Sequence, residues 1–291
     1  MNSKIGYLQV LASGIGFGFL GVFGRLAFMN GFTVGELLSF RFCIAAVILW
    51  TGLFLFQRRL IFLDKRQILN SILLGACGYA VFSSFYFESI KGLSISLAAM
   101  LLFTFPIFVN LGEHFIFKNS MSPWQWISLA LAMIGMVALL WGDFSVQSWS
   151  AVFFGYGSAV TYSVYVLVSS RVQKNVVPLS SSLYVITATA LTFAFFHQPD
   201  FSKLLHLTAA QSFIIIGIAS LSTILPLTLF LAGLQKMPSG KASIIVMIEP
   251  VTAALAGFFI LNESMGWPQI LGTLIILTAL VLNALKVDHR S

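Results

Sequence analysis

Ionisable side chains are rare inside the long apolar runs of this sequence, so each of them is a candidate for chemistry. Arg41 and Glu88 lie near the ends of two such runs, at depths that antiparallel neighbouring helices would bring together. A charged group inside a bilayer costs about 2.5–3.5 kcal/mol on insertion scales, which favours a functional role. Arg41 could bind a substrate anion such as a carboxylate while Glu88 orients it or exchanges a proton. The alternative is a structural ion pair.

Glu249 lies in the middle of another apolar run, directly before Pro250, with no basic residue within one helical turn. Proline removes a helix hydrogen bond and can expose a backbone carbonyl at that level. A carboxyl group beside a helix break near the bilayer midplane is typical of transport sites. Glu249 is therefore predicted to belong to a binding site. The alternative is a protonated glutamate that is hydrogen-bonded across helices.

The other ionisable residues carry weaker signals. Arg25 and Glu36 flank one short loop, which favours a structural ion pair between them. Glu113 and His114 lie toward the end of a run, but no second pair stands at ligand spacing, so no metal site is predicted. A G-x-G-x-x-G pattern from Gly16 lies inside an apolar run rather than after a strand, so no cofactor is expected. No catalytic residue is assigned, because no His, Asp, Ser or Cys cluster stands at matching depth.

Tyrosines inside the apolar runs are further candidates, because a buried hydroxyl needs a polar partner. Five tyrosines lie there: Tyr79, Tyr86, Tyr162, Tyr165 and Tyr184. Of these, Tyr79, Tyr162 and Tyr165 are predicted to line the same site as the charged residues above. Ordinary packing with local hydrogen bonds is the alternative, since the chain also contains 29 Phe.

The composition shows what kind of scaffold must position these groups. Hydrophobic residues make up 58% of the 291-residue chain and charged residues 9%, against about 25% charged in an ordinary soluble domain. A soluble fold could not cover its surface with so few charges, whereas a lipid-embedded fold can. The net charge of +7 lies in short loops without a basic face, so a nucleic-acid partner is not expected.

Apolar runs long enough to cross a bilayer, about 20 residues each, predict an all-α polytopic membrane protein with ten transmembrane helices. The predicted spans are 7–28, 36–56, 68–90, 94–117, 123–142, 151–170, 179–197, 210–235, 242–261 and 267–285. Breaks or kinks are predicted at Pro106, Pro226 and Pro250.

The distribution of Lys and Arg predicts the orientation of these helices. With the N-terminus inside, twelve of the 16 basic residues are cytoplasmic and only Lys91 and Lys203 lie on the other side. Such a bias places both termini in the cytoplasm. The twelve are Lys4, Arg58, Arg59, Lys65, Arg66, Lys118, Arg171, Lys174, Lys236, Lys241, Lys286 and Arg290.

The two halves of the chain align with each other at an offset of 144 residues. Pro106 then falls on Pro250, Ser120-Met121 on Ser264-Met265, and Gln125 on Gln269. The predicted units are 1–142 and 151–285, each with five spans. Because five is odd, the second unit enters the membrane from the opposite side. Inverted repeats of this kind are typical of secondary transporters that work by alternating access.

A family resemblance rests on these repeats. Each fourth span has a central proline, and the second half continues with Leu261-Asn262-Glu263, Trp267-Pro268-Gln269 and Gly272. The first half has Phe117-Lys118-Asn119 and Trp124-Gln125, with Asn119 in place of the acidic residue. The chain thus resembles the EamA-type proteins of the drug/metabolite transporter superfamily. The resemblance implies export of amino acids or other metabolites through a central cavity, with the fifth helix of each half as a peripheral support.

Taken together, these patterns predict a secondary transporter, not an enzyme, that exports small metabolites such as amino acids across a bacterial inner membrane. Proton coupling through a carboxylate is left open. A monomer or weak dimer in the lipid bilayer is expected, because both halves are covalently joined. The alternatives are a flippase for an amphipathic lipid, an intramembrane enzyme and a membrane scaffold.

Overall fold

A computed structural model describes residues 2–142 and 144–285 of the chain, and within these ranges it is helical without a strand. The predicted all-α class is confirmed. We number the long helices, including those with internal breaks, in chain order. They are α1 (Asn2–Met29), α2 (Val34–Phe56), α3 (Lys65–Ile90), α4 (Ile95–Phe115), α5 (Pro123–Leu139), α6 (Trp149–Val172), α7 (Pro178–His197), α8 (Ala209–Leu234), α9 (Ser239–Leu261) and α10 (Trp267–Leu285).

In the described residues, nine of these helices are long and apolar enough to cross a bilayer. The tenth, α5, is a shorter apolar helix of 17 residues. It ends at Leu139, three residues before the predicted end at 142, because Leu140 has ψ of 13° and leaves the helical conformation. Lys286 and Arg290, which carry part of the predicted orientation bias, lie outside the described residues.

Four of the helices are irregular near their middle, and three of these irregularities lie beside a proline. Helix α4 breaks at Phe103–Thr104, just before Pro106, and α9 breaks at Val246–Met247, just before Pro250. A π-helical turn at Ser220–Ile224 precedes Pro226 in α8. Proline has no N–H to donate and its ring clashes with the preceding turn, so the helix must widen or restart there. Helix α3 has a matching π-helical turn at Leu74–Tyr79 without a proline.

Local backbone features repeat at the offset of 144 residues. Lys118 and Asn262 both adopt the left-handed conformation, with φ of 55° and 54°. The backbone N–H of Asn119 donates to Glu113 O at 2.9 Å, and that of Glu263 donates to Gly257 O at 3.1 Å. Asp64 before α3 and Thr208 before α8 form equivalent capping boxes with Gln67 and Gln211. The two halves therefore share their turns and helix starts as well as their hydropathy.

The two five-helix repeats interlock rather than lie side by side. Helix α1 of the first half packs against α8 and α9 of the second, and α6 of the second packs against α3 and α4 of the first. Helix α2 pairs with α7, and α5 pairs with α10. The most extensive helix–helix contacts thus join one half to the other. The apolar core is shared between the halves, so it forms only when both are present.

Both described chain ends lie on one side of the bundle, which we call the N-terminal face. The Tyr7 hydroxyl, near the start of α1, donates to Leu280 O, near the end of α10, at 3.1 Å. The α2–α3, α4–α5, α6–α7 and α8–α9 loops lie on this face. The opposite face carries the α1–α2, α3–α4, α5–α6, α7–α8 and α9–α10 loops.

Helices α5 and α10 approach each other most closely at glycines. A Cβ added to Gly272 would stand 2.3 Å from Leu139 N and 2.6 Å from Gly135 O. Gly135 has the reciprocal restriction, with Gly272 O at 2.9 Å. Small residues at such contacts let membrane helices pack backbone to backbone, where dispersion replaces the hydrophobic effect as the driving force.

We expect Gly272→Ala to destabilise the protein, because the added methyl group overpacks the α5–α10 contact by about 1–3 kcal/mol. Gly52→Ala on α2 is the matched control, since no atom lies within 4 Å of a Cβ built there. The check is the melting temperature of each purified variant in detergent. An unchanged melting temperature for Gly272→Ala would show that the two helices can move apart to accommodate the methyl group without loss of stability.

Candidate functional site

Arg41 on α2 is a buried cation whose guanidinium is incompletely paired. The residue is 4% exposed, and its Cζ atom lies 4.4 Å from the centroid of the Phe42 ring. Its Nε atom has no hydrogen-bond partner among the described residues. Leaving a buried donor unpaired costs about 1–3 kcal/mol, and more for a charged group. A retained cost of this kind marks Arg41 as a candidate for binding an anionic group.

Tyr79 and Glu249 bring a hydroxyl and a negative charge to Arg41. The Tyr79 hydroxyl and the Glu249 carboxylate both lie near the guanidinium and interact with it electrostatically. Tyr79 ends the π-helical turn of α3, while Glu249 lies in the first turn after the α9 break. The helix dipole favours a carboxylate at that position. Two helix irregularities, one from each half, therefore meet at a single site.

Aromatic rings from α3, α4 and α6 form a cluster that includes Tyr79. The Phe82 ring lies 4.8 Å from Tyr79 and 4.4 Å from Tyr162, measured between ring centroids. Phe105, directly after the α4 break, lies 4.4 Å from Tyr162, which stacks on Tyr165 at 6.1 Å. Tyr79 also lies 5.7 Å from Tyr165, so the rings form one continuous cluster.

Access to this site differs between its two sides. Tyr86, one turn beyond Phe82 toward the opposite face, and Glu249 are both half-buried, and they interact electrostatically. The part of α3 beyond the site packs against α6, and it forms no extensive contact with α1 or α2 in the described structure. On the other side of the site, α6 and α7 pack against α3. Tyr86 and Glu249 are thus less buried than Arg41, Tyr79, Tyr162 and Tyr165.

A buried polar network closes the N-terminal face at Asn110 on α4. Its amide nitrogen donates to Pro106 O at 2.7 Å and to Gly240 O at 3.3 Å. Gln125 on α5 donates to the Asn110 side-chain oxygen at 2.9 Å. Asn110 is fully buried. The amide therefore joins the fourth helix of the first half to the fourth helix of the second.

Glu113, one turn further along α4, extends this network. Its carboxylate accepts hydrogen bonds from the Ser239 hydroxyl and from Asn119, and a third from the Ser239 backbone N–H at 3.2 Å. Arg171 of α6 lies 3.3 Å from the same carboxylate. At 3% exposure the charge is fully paired, as a buried carboxylate must be. His114 contacts Phe115 instead, with ring centroids 4.9 Å apart.

Five of the six predicted binding residues meet at this site: Arg41, Tyr79, Tyr162, Tyr165 and Glu249. The sixth, Glu88, does not. Its carboxylate pairs with Lys91 at 2.6 Å on the opposite face, where the Glu88 side chain is 45% exposed. Glu88 lies near the end of α3, as predicted. Its side chain, however, is directed toward the α3–α4 loop, where Lys91 is located.

The predicted ion pair between Arg25 and Glu36 is wrong. Arg25 pairs with Glu263 from the α9–α10 loop, and Glu36 pairs with Lys203 from the α7–α8 loop. Glu36 also caps α2, accepting from the Thr33 backbone N–H at 2.9 Å. Its hydrogen bond with Lys203 raises the pKa of that lysine. Both pairs join one half to the other, which a reading of neighbouring loops cannot anticipate.

Sequence reasoning missed the phenylalanines of the site. Phe82 follows Tyr79 by three residues and Phe105 directly precedes Pro106, so both lie beside residues that were already singled out. Proximity in the sequence to a residue that is already a candidate is the signal that could have distinguished these two phenylalanines from the others in the chain. Tyr184 lies elsewhere, with its hydroxyl donating to Ile61 O at 2.6 Å near the N-terminal face.

Comparison with known proteins agrees with this architecture. The model of the EamA-like transporter family matches residues 4–141 and again 149–285. The chain is therefore an integral membrane protein of the transporter class. It belongs to the EamA-like transporter family.

Individual relatives have low sequence identity but match most of the chain. The Bacillus subtilis transporter YwfM is 26% identical over 218 residues, which cover 73% of each chain. The threonine/homoserine exporter RhtA of Salmonella typhimurium is 24% identical over 207 residues, or 70% of this chain and 68% of its own. A solved crystal structure with 15% identity superimposes with a TM-score of 0.81 and covers 98% of this chain and 96% of its own. This last likeness shows the fold.

Arg41→Met tests whether the buried charge serves binding or stability. A buried ion pair that is replaced as a whole by uncharged side chains is often neutral or stabilising, whereas removal of one partner leaves the other charge buried. The Met substitution is therefore combined with Glu249→Gln, and we expect the double variant to melt at or above the wild-type temperature because no buried charge is left. A fall of several degrees in differential scanning fluorimetry would identify Arg41 as a structural residue. Arg41→Lys, which keeps the charge but not the forked geometry, is the companion variant.

Proposed function

We propose that this transporter exports amino acids or similar zwitterionic metabolites from the cytoplasm across a bacterial inner membrane. The observation that carries the proposal is the pair of opposite charges, Arg41 and Glu249, held beside one aromatic cluster. The threonine/homoserine activity in the name of a Salmonella relative supports the substrate class. The N-terminal face is then the cytoplasmic one, in keeping with the Lys and Arg bias.

The two charges match the two ends of a zwitterion. A guanidinium offers forked donors that hold a carboxylate with two parallel hydrogen bonds. The Glu249 carboxylate and the ring faces of Tyr79 and Tyr162 suit an ammonium group. The site is neutral overall, so a purely anionic or cationic substrate would leave one buried charge unpaired, which is costly. A neutral zwitterion satisfies both.

The interlocked repeats supply a route for alternating access. Two similar halves of opposite orientation can exchange conformations, which opens a central site first to one face and then to the other. The helix breaks in α4 and α9 lie at the site and allow the segments on either side to tilt separately. Substrate would enter after the network of Asn110 and Glu113 opens and would leave toward the opposite face.

Coupling to protons would run through Glu249, the carboxyl group that faces Arg41. A protonated Glu249 leaves Arg41 free for an anion, whereas an ionised one competes for it electrostatically. Exchange of a proton against substrate at this residue would allow the membrane proton gradient to drive export. Transport driven by a pH gradient is therefore the measurement that reports on Glu249.

We expect Glu249→Gln to lose net transport driven by a pH gradient, roughly tenfold or more, since amides do not titrate. Radiolabelled threonine and homoserine in proteoliposomes are the probes. Glu88→Gln is the matched control, because Glu88 is an exposed carboxylate paired with Lys91 and should transport normally. Normal expression and melting temperature of both variants exclude misfolding. Wild-type rates for Glu249→Gln would remove the residue from the mechanism.

The zwitterion rule predicts a pattern of ligand binding. Bound ligands stabilise a folded protein by mass action, so threonine should raise the melting temperature in detergent, whereas its methyl ester and N-acetyl derivative should not. Arg41→Ala should abolish the shift. Equal shifts with the ester would show that Arg41 does not hold the carboxylate, and a response to lipids alone would favour a flippase.

A further inference from the structure

A line of buried polar groups that contain unpaired atoms runs along α6 from the site toward the N-terminal face. Tyr165, Ser169 and Gln173 follow one another at intervals of four residues, so they lie on one side of the helix. They are 2%, 1% and 1% exposed. The Tyr165 and Ser169 hydroxyls lie near each other, but neither they nor the Gln173 side-chain oxygen forms a hydrogen bond of good geometry among the described residues.

Helices α3, α7 and α8 complete a four-helix ring around this line. Helices α6 and α7 each pack against α3 and α8, but not extensively against each other in the described structure. Polar contacts join neighbours around the ring: Gln173 Nε2 donates to Ser71 Oγ at 3.0 Å, and Thr228 Oγ1 donates to Ser182 Oγ at 2.9 Å. Gln235 of α8 donates to Gln173 O at 2.7 Å.

The repeat indicates what these positions become in the other state. The residues 144 positions earlier on α1 are Gly21, Arg25 and Met29, and all three are exposed along the half of α1 that ends at the opposite face. The Arg25 side chain is 56% exposed and Met29 is 74% exposed. Exchange of conformations between the halves would therefore give Ser169 and Gln173 the exposure that Arg25 and Met29 have now.

We infer that the Tyr165–Ser169–Gln173 line is the wall of the passage through which water and polar substrate reach the site from the N-terminal face. Each unpaired polar atom destabilises the closed arrangement, and water that enters on opening supplies the missing hydrogen bonds. The polar groups of this line are thus packed against neighbouring helices in this structure, and water hydrates them in the alternate conformation. The inference rests on the proposed alternating-access function.

Cysteine labelling tests the passage without a known substrate. Ser169→Cys and Gln173→Cys are made in a Cys43→Ser/Cys77→Ser background and treated with a charged, membrane-impermeant methanethiosulfonate reagent in vesicles of each orientation. Leu167→Cys is the control on the same helix, because Leu167 is similarly buried but contacts Gly112 of α4. Arg59→Cys, in the exposed α2–α3 loop, identifies the N-terminal face.

We expect both test cysteines to react roughly tenfold faster than Leu167→Cys, from the side that labels Arg59→Cys, because only they become hydrated in the minor state. Rates equal to that of Leu167→Cys, or reaction from the other side, would overturn the passage. Failure of threonine transport with fast labelling would instead reject the proposed substrate. The two failures are therefore distinguishable.

A cross-link provides a second, independent arm. The Thr228 and Ser182 oxygens are 2.9 Å apart, so cysteines at both positions are close enough for a disulfide. Oxidation of Ser182→Cys/Thr228→Cys should fix α7 to α8 and stop threonine exchange until dithiothreitol is added. A fully oxidised protein that exchanges threonine at the wild-type rate would show that the passage opens elsewhere.

Discussion

The interlocking of the two halves is the constraint from which the other features follow. Helices in lipid gain little from hydrophobic burial, so they associate through close packing and polar contacts. Here those contacts run mostly between the repeats, as in the α1–α9 surface, where Gly14 lies against Ile248 and Gly18 against Glu249 and Thr252. Because neither half contains its own core, any movement of one half must change its contacts with the other.

The candidate site depends on differences between the repeats at equivalent positions. Arg41 corresponds to Val185, and Glu249 corresponds to Phe105, so each half contributes one charge. Tyr162 on α6 corresponds to Gly18 on α1. The glycine lets the backbone of α9 approach α1 and sets the position of Glu249, while the tyrosine fills the same place in the other half. The backbone frame is thus repeated in both halves, whereas the side chains of the candidate site are not.

Much of the fold could be predicted from the sequence because its signals are local. Apolar length predicted the helices, proline predicted the breaks at Phe103–Thr104 and Val246–Met247, and the repeat predicted the shared turns. Pairing was less predictable. Depth along a helix follows from residue number, but rotation about the axis and contacts across the repeats do not. Glu88 was therefore assigned to the site although it faces Lys91, and Arg25 was paired with Glu36 instead of Glu263.

The two faces of the bundle differ in their buried polar contacts. The N-terminal face has the fully paired network around Asn110 and Glu113, whereas the equivalent residues on the opposite face are Ala254 and Gly257. No counterpart of the network is therefore possible at those two positions. The network stabilises the arrangement seen here, and the unpaired polar atoms along α6 destabilise it. In the proposed alternating-access cycle these opposed effects keep the free-energy gap between the two states small, so that a ligand with a modest preference for one state can shift the balance.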